Sequence, residues 1–175
     1  MNSSTTKRHW HAVYVRMHHE KKVQQRLTAQ GIQSFLPIHT EIRQWSDRKK
    51  KVDKVLIPMM LFVYVNKEEK LHVLQTPSVM HYMVLRGEQK PAVIPPNQME
   101  QFRLMVEKSD TAVNFQACNL QLGNQVRVTH GPLTGLIGKL VTINGKSSIA
   151  IRIDRVGCAT VEMDVAFVET LSTIK

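Results

Sequence analysis

The sequence predicts an α+β domain with an antiparallel sheet, followed by a short linker and a small antiparallel β-barrel. Three observations predict this fold class. Strand and helix patterns alternate over residues 9–110, periodicity is weak over 111–120, and short β-rich segments separated by turn residues fill 121–172. These changes of pattern set the predicted boundaries of the first domain, the linker and the barrel.

The first domain is predicted to open with a strand and an amphipathic helix. Residues 10–15 are rich in β-forming side chains, which favours a strand. Val23 and Leu27 lie four residues apart in a polar segment, so a helix over 20–30 would have one apolar face. Gly31 can end that helix because glycine tolerates the left-handed conformation common at helix C-termini.

Turn residues and apolar runs predict the rest of the first domain. Asn97 and Glu100 have the spacing of a capping box, which places a helix start at Asn97. The other predicted elements are strands over 34–38 and 41–45, a charged tip at Arg48 to Lys51, an apolar strand within 55–65, a helix over 67–74 and a strand over 80–85.

The barrel is predicted from alternation and from its turns. Arg127 lies between two valines, as in a half-buried strand, and Gly131-Pro132 interrupts the pattern. Asn144-Gly145 is a strong signal for a two-residue hairpin. The isoleucines at 149, 151 and 153 then alternate with other residues, which predicts a further strand.

The chain has 175 residues and a formal net charge of +10, and the excess lies in its first third. Residues 1–54 hold 12 Lys or Arg against 4 Asp or Glu, whereas residues 55–118 are neutral and residues 119–175 carry +2. A one-sided basic surface attracts polyanions, above all nucleic acid. A solvated, highly soluble surface would have the same composition.

Other features disfavour membrane and secreted proteins. No apolar stretch approaches the ~20 residues that cross a bilayer. The polar, basic start Met1–Arg8 does not resemble a secretion signal. Cys118 and Cys158 are forty positions apart without the spacing of a metal or redox motif, so we expect reduced thiols in a cytoplasmic protein rather than a disulfide.

Neither catalysis nor metal binding is predicted. The sequence has no nucleophile elbow, no phosphate-cradling glycine loop and no persuasive carboxylate pair. Its eight histidines include His9, His11, His18 and His19, but no cluster of cysteines or carboxylates accompanies them. We therefore expect a non-enzymatic protein with no metal or cofactor.

Together, the two halves of the chain resemble the NusG family of transcription elongation factors. The Trp-containing strand, the basic helix and the stretch Ile57-Pro58-Met59-Met60-Leu61-Phe62-Val63 resemble the N-terminal (NGN) domain of the family. The run Val126-Arg127-Val128, Gly131-Pro132 and Gly138 resembles the KOW motif of SH3-like barrels, and 157–164 resembles its closing strands. The resemblance covers about residues 9–171.

Two departures from the family pattern indicate a specialised paralogue. Met59-Met60 replaces a glycine-tyrosine pair, and Val156 lies where the general factor often has an aromatic residue. The chain therefore is more similar to the RfaH or UpxY antiterminators, which serve operons such as those for polysaccharide biosynthesis. The resemblance implies a factor that binds RNA polymerase and suppresses pausing or termination.

The resemblance also implies two sets of binding residues in the first domain. An apolar patch would grip the clamp helices of the largest polymerase subunit, although the same side chains would also suit the core of the domain. A basic set would meet the non-template DNA strand or nascent RNA, although charged runs are commonly just solvated. The apolar set is Trp10, Met60, Phe62 and Tyr82; the basic set is Arg16, Lys21, Lys22 and Arg26 on or near the helix, and Arg48, Lys49 and Lys50 at the tip.

For the barrel, the resemblance implies a partner edge at Gly131, Pro132 and Val156. Relatives use this edge to recruit a small-subunit ribosomal protein or termination factor Rho. An alternative from another class is a ribosome-associated or free RNA-binding KOW protein, against which the small +2 charge of residues 119–175 argues. A DNA-binding repressor is a weaker alternative because no helix-turn-helix pattern is present.

Overall fold

A computed structural model of the chain describes residues 7–172. The prediction about Met1–Arg8 falls mostly on residues 1–6, which lie outside the described residues. The helices and strands, in chain order, are β1 (His9–Val15), α1 (Glu20–Ala29), β2 (Gln33–Phe35), β3 (Ile38–Gln44), β4 (Lys49–Val55), β5 (Met60–Val65), α2 (Lys67–Gln75), β6 (Val79–Tyr82), α3 (Pro96–Lys108), β7 (Val113–Gln116), β8 (Gln125–Val128), β9 (Ile137–Ile143), β10 (Lys146–Ile153), β11 (Gly157–Glu162) and β12 (Val168–Thr170), with a short 3-10 turn at Val165–Phe167 before β12.

The chain divides into two compact units. The first comprises the chain up to Pro37 together with Ile57–Pro96, and the second comprises Ile38–Leu56 together with the chain from Asn97 onward. The mixed α/β class with antiparallel sheets is confirmed. No described helix is long and apolar enough to span a membrane.

The first unit contains a four-stranded antiparallel sheet in the order β2-β5-β1-β6. Its central strands β1 and β5 are almost wholly buried, as expected where both faces of a sheet are covered. The pairs Trp10↔Tyr64 and Ala12↔Phe62 fall on one face, because side chains alternate along a strand. Val23 and Leu27 of α1 and Val73 of α2 are fully buried.

Helix starts and ends follow local side-chain chemistry. Gly31 has φ +73 directly after Gln30, the C-cap of α1, which confirms the predicted stop. The Asn66 side chain accepts hydrogen bonds from the N–H groups of Glu68 and Glu69, and the Glu69 carboxylate accepts one from Asn66 N–H. This capping box starts α2.

The capping box predicted at Asn97 is wrong, because α3 already begins at Pro96, where proline loses no helical hydrogen bond.

The turn before β5 contains a strained residue. Met59 has φ +62, a left-handed conformation that costs a non-glycine residue roughly 1–2 kcal/mol. Its N–H donates a hydrogen bond to Glu20 Oε1 over 2.9 Å, and Glu20 is buried. The contact joins the first turn of α1 to the start of β5.

In the second unit, β3 and β4 form a separate two-stranded hairpin, and the remaining strands form a six-stranded antiparallel sheet. We call β7 to β12 the C-terminal sheet; its strand order is β12-β8-β9-β10-β11-β7. The predicted turn at Asn144-Gly145 is confirmed, with φ +52 and +76 at these two residues. Positive φ at both positions is characteristic of the type I′ turn, whose backbone twist matches the twist of the two strands that it joins.

The segment predicted as linker contains a strand. Within 111–120, β7 pairs antiparallel with β11, in the register Cys158↔Gln116 to Val161↔Val113. A strand of only four residues is too short to show a periodic pattern in the sequence, so this long-range pairing could not be predicted. The sequence predicted a first domain over 9–110, a linker over 111–120 and a barrel over 121–172. The predicted linker thus partly belongs to the C-terminal sheet.

The expectation of reduced thiols is wrong for this structure, because Cys118 and Cys158 form a disulfide. Pairing of β7 with β11 carries the chain beyond Gln116 past the start of β11, so the two Cα atoms lie 5.0 Å apart. That separation falls in the normal range for disulfides. Sequence spacing alone could not reveal the proximity.

Helix α3 contacts the C-terminal sheet through two glutamines. Gln98 Oε1 accepts a hydrogen bond from Asp154 N–H over 2.7 Å, and Gln101 Oε1 accepts one from Ile137 N–H over 2.8 Å. The rings of Phe102 and Phe115 lie 6.0 Å apart. These contacts give two otherwise orphaned backbone donors a partner.

Candidate functional site

The four residues of the predicted apolar patch are all buried. Trp10, Met60, Phe62 and Tyr82 each expose less than a tenth of their surface. The Tyr82 hydroxyl donates a hydrogen bond to Lys70 O over 3.1 Å, and burial raises the pKa of that phenol. In this structure these side chains build the core of the first unit.

Apolar residues close to Tyr82 in the chain are exposed instead. Met80 on β6, Val84 and Val93 each expose about half of their surface. Val84 pairs with Pro91, and Ala92 N–H donates to Met83 O, so the two chain segments run side by side. Val93 and Val84 therefore belong to one small ribbon at the edge of the sheet. Sequence analysis missed this surface, although a valine on each side of a turn was a visible signal.

His11 is fully buried on β1, next to this ribbon. Its Nδ1 lies 2.8 Å from Ala92 O, which requires a proton on Nδ1, and its ring contacts Tyr82 edge-on at 5.8 Å. Nε2 has no hydrogen-bond partner among the described residues. Burial, reinforced by the positive charge of Lys70 and by His9, lowers the pKa of His11 to about 4. His11 is therefore neutral at physiological pH.

The basic residues on and before α1 lie on the solvent side of the first unit. Arg16, Lys21, Lys22 and Arg26 are all exposed. Lys22 and Arg26 are one turn apart on the same side of α1, whereas Val23 and Leu27 face the core. Arg26 Nη1 donates to Pro77 O over 2.8 Å, so its guanidinium is held against the loop before β6.

His19 lies beside this basic group. Its Nδ1 is 2.7 Å from Ser78 Oγ, and Arg16 N–H donates to Ser78 O over 3.0 Å. The β1–α1 loop and the loop before β6 thus form one surface. Its side chains can supply phosphate contacts from arginine and lysine, with hydrogen bonds from a histidine and a serine.

Arg48, Lys49 and Lys50 belong to the β3–β4 hairpin in the second unit, whereas the α1 group belongs to the first unit. The predicted tip is confirmed as a hairpin, but β4 begins at Lys49, which leaves only Arg48 in the turn. All three residues are exposed. Trp45, which sequence analysis did not select, is 51 % exposed at the same tip.

The predicted partner edge of the C-terminal sheet divides into two places. Gly131 and Pro132 line a cleft of about 1010 Å³, together with residues such as Ile143, Met163 and Phe167. Val156 does not line that cleft; it lies in the turn between β10 and β11 and is half-buried. The Phe167 ring is 44 % exposed and lies 5.9 Å from the His130 ring.

A metal centre has no support among residues 7–172, where no three His, Cys, Asp or Glu side chains converge on one point. Two of the four histidines singled out in the sequence make hydrogen bonds instead. His11 bonds a backbone carbonyl and His19 bonds a serine hydroxyl.

Comparison with known proteins identifies a family. The model described as "NusG: Transcription termination factor nusG" matches residues 8–103, more than half of the chain. No curated protein sequence matches the chain significantly.

Solved structures to which the chain is similar include "Domain interaction in Thermotoga maritima NusG", which is 22 % identical, covers 96 % of this chain and 99 % of that chain, and has a TM-score of 0.49. The structure titled "Crystal Structure of MjSpt4:Spt5 complex conformation A" is 14 % identical, covers 93 % and 98 %, and has a TM-score of 0.29.

Proposed function

The chain belongs to the NusG family of transcription factors, and from this premise we propose that it binds RNA polymerase during elongation and suppresses pausing or termination. The observation that carries the proposal is the family match over residues 8–103, which covers all of the four-stranded sheet and both of its helices. The protein would act without catalysis, through differential affinity for the closed, elongating state of the polymerase. A difference of ~1–3 kcal/mol would change pause lifetimes several-fold or more.

We place the polymerase contact at the edge of the first unit. Trp10, Met60, Phe62 and Tyr82 would shape this surface from beneath, because all four are buried. Met80, Val84 and Val93 would provide the exposed apolar area, and a flexible methionine adapts to irregular partner surfaces. The clamp helices of the largest subunit are the expected partner.

Capture of core RNA polymerase by the tagged full chain tests this contact. Val84→Glu with Val93→Glu should abolish capture, because each puts a charge into a desolvated interface. Leu71→Glu is the matched control, since Leu71 is 57 % exposed on α2 and lies on the helix face opposite the buried Val73. Equal capture by the double variant and the wild type would remove this surface from the proposal.

The basic group at α1 supports a nucleic-acid contact in the same complex. Arg16, Lys21, Lys22 and Arg26 would lie beside the displaced non-template DNA strand. If four such charges meet phosphates, log affinity for single strands should fall with log salt at a slope of about −3. Lys22→Gln should reduce that slope by about 0.7, whereas an unchanged slope would show that Lys22 meets no phosphate.

The C-terminal sheet would recruit a further protein, in the manner of a KOW domain. The cleft at Gly131 and Pro132 is lined by Met163 and Phe167 as well as by acidic Asp110 and Asp164, which suits a partner with apolar and basic groups. A small-subunit ribosomal protein or Rho would fit this description. Phe167→Ser should weaken such capture without affecting capture of polymerase; loss of both would argue against separate surfaces.

We further propose a specialised role at particular operons, such as those for polysaccharide biosynthesis. The support is the departure at Met59-Met60, where a left-handed turn carries methionine in place of glycine. Deletion of the gene should lower expression of distal genes in long operons far more than that of promoter-proximal genes. A uniform change across the genome would favour the general role.

A further inference from the structure

We propose that the tip of the β3–β4 hairpin is a stacking site for an unpaired nucleobase, in which the Trp45 indole holds the base and neighbouring cations hold its flanking phosphates. The site lies outside the α1 group described above. The proposal deepens the proposed function. It rests on that function only to explain where the single strand would come from.

The first observation is the side-chain register of the hairpin. Trp45 N–H donates to Arg48 O over 2.8 Å, which closes the turn, and Arg43 pairs with Lys50. Because side chains alternate along each strand, Trp45, Arg48, Arg43 and Lys50 fall on one face of the hairpin. Lys50 Nζ lies 5.2 Å from the centroid of the Trp45 ring, which shows that two of these groups are in contact.

The second observation is exposure. All residues from Ile42 to Lys51 are exposed, and half of the Trp45 surface is open to solvent. The indole is therefore no part of a core. A cation–π contact at an exposed site is only weakly stabilising, so the contact with Lys50 does not by itself account for an exposed tryptophan at this position.

The positive charge and the aromatic ring on this face indicate which ligand it would bind. The stretch from Arg43 to Lys51 carries five basic residues against one acidic residue, Asp47, so an anionic partner is favoured. Glu41 lies 3.6 Å from both Arg43 and Lys54 and partly offsets them, which leaves the positive charge concentrated at the tip. An aromatic ring beside cations is the arrangement with which proteins bind single strands without sequence preference.

An unpaired base is required, rather than a duplex. In a duplex the faces of the bases are covered by stacking, and an indole at a hairpin tip reaches only the grooves and the phosphates. A single strand exposes the base face to the ring and its phosphates to Arg48 and Lys50. Opened DNA and nascent RNA share this chemistry, and both are compatible with the site.

Direct binding of the full chain to defined probes tests the proposal without polymerase. The probes are a thymidylate strand of about twelve nucleotides, a uridylate strand of the same length, and a duplex of that length, all within the ~4–16 nucleotides that such sites cover. Trp45→Leu should weaken binding to the single strands roughly 5- to 150-fold, as expected for loss of one stacked base. Binding to the duplex should stay within about two-fold.

The intrinsic fluorescence of the chain gives a second readout. The sequence has two tryptophans, of which Trp10 is buried and Trp45 exposed. Stacking should quench the emission of Trp45, and Trp45→Phe should keep most of the affinity while losing the quenching. Lys50→Gln with Arg48→Gln should reduce the salt slope for single strands by about 1.4, whereas Lys90→Gln with Lys108→Gln, which removes the same charge elsewhere, should not.

The outcomes separate the two proposals. Unchanged single-strand affinity in Trp45→Leu, or equal losses for strand and duplex, overturns the stacking site while capture of polymerase stands. Loss of polymerase capture by Trp45→Leu with oligonucleotide binding intact also overturns it, in favour of a protein contact. Trp45-dependent binding to either strand supports the site even if polymerase is never captured, and the relative affinities for thymidylate and uridylate identify its source.

Discussion

The carboxylate of Glu20 and the backbone N–H of Met59 are joined by a hydrogen bond of 2.9 Å, at the point where the chain turns into β5 with a left-handed residue. Glu20 is buried and opens α1, so its charge also lies at the favourable end of the helix dipole. The contact supports a conformation that methionine would otherwise avoid.

Replacement of Met59 by glycine tests that account. Met59→Gly should raise the free energy of unfolding by up to about 1 kcal/mol, because relief of the left-handed conformation outweighs the added freedom of the unfolded chain. Met59→Ala retains the conformational cost and should not stabilise. Urea denaturation of the three proteins measures the difference. Equal stability of the glycine and alanine variants would show that the turn carries no strain.

The buried His11 predicts a loss of stability in mild acid. Its pKa is lowered to about 4 in the folded state, so the unfolded chain, with a pKa near 6.5, binds the proton first. The stability contributed by neutral His11 is complete above about pH 6.5 and is lost as the pH falls toward 4, by up to about 3 kcal/mol. His11→Leu should flatten this part of the curve.

Denaturation midpoints between pH 4 and 7 measure the effect. His72→Gln is the control because His72 is exposed on α2. A wild-type curve that parallels that of His11→Leu would contradict the assignment.

The disulfide predicts a stability that depends on reductant. Cys118 and Cys158 are 40 residues apart, and a loop of that length gives a stabilisation of about 3–4 kcal/mol in the chain-entropy account. Reduction should therefore lower the urea midpoint of the C-terminal sheet. Cys118→Ser should unfold at the midpoint of the reduced wild type and should not respond to reductant. A response of that variant would trace the effect to another cause.

Gly138 on β9 leaves no room for a side chain. A Cβ there would lie 2.6 Å from Ile149 Cγ2, 2.8 Å from Ile151 Cδ1 and 2.9 Å from Ala150 O. Gly138→Ala should destabilise the C-terminal sheet by about 1–3 kcal/mol through overpacking. The double variant with Ile149→Ala should cost less than the sum of the single changes, because the truncation frees space. Strict additivity in thermal unfolding would exclude a clash with Ile149.

Features governed by neighbouring residues were predictable from the sequence. The hairpin at Asn144-Gly145 and the stop at Gly31 depend on backbone conformations that these residue types favour, so local pattern was sufficient. The tip between β3 and β4 was predicted from a run of charge between two strands. Its tryptophan was overlooked because an aromatic residue within a strand is ordinarily expected to face a core.

Features governed by distant residues were not predictable. The pairing of β7 with β11 and the disulfide beside it join segments about forty residues apart. Burial of Trp10 and Phe62 was also not predictable, because an apolar side chain on a strand can belong either to a core or to an interface. Exposure of Val84 and Val93 follows from the ribbon that they form, which a sequence pattern of two residues does not specify.

The strand β7 shortens the tether between α3 and the C-terminal sheet. Only residues 109–112 separate the last residue of α3 from the first of β7, a span of at most about 18 Å when fully extended. A partner held by the cleft of the sheet would thus stay within a small volume around α3. The effective concentration of this partner near α3 would greatly exceed that given by a long flexible linker. Binding of the same partner to a second site near α3 would therefore need little affinity of its own.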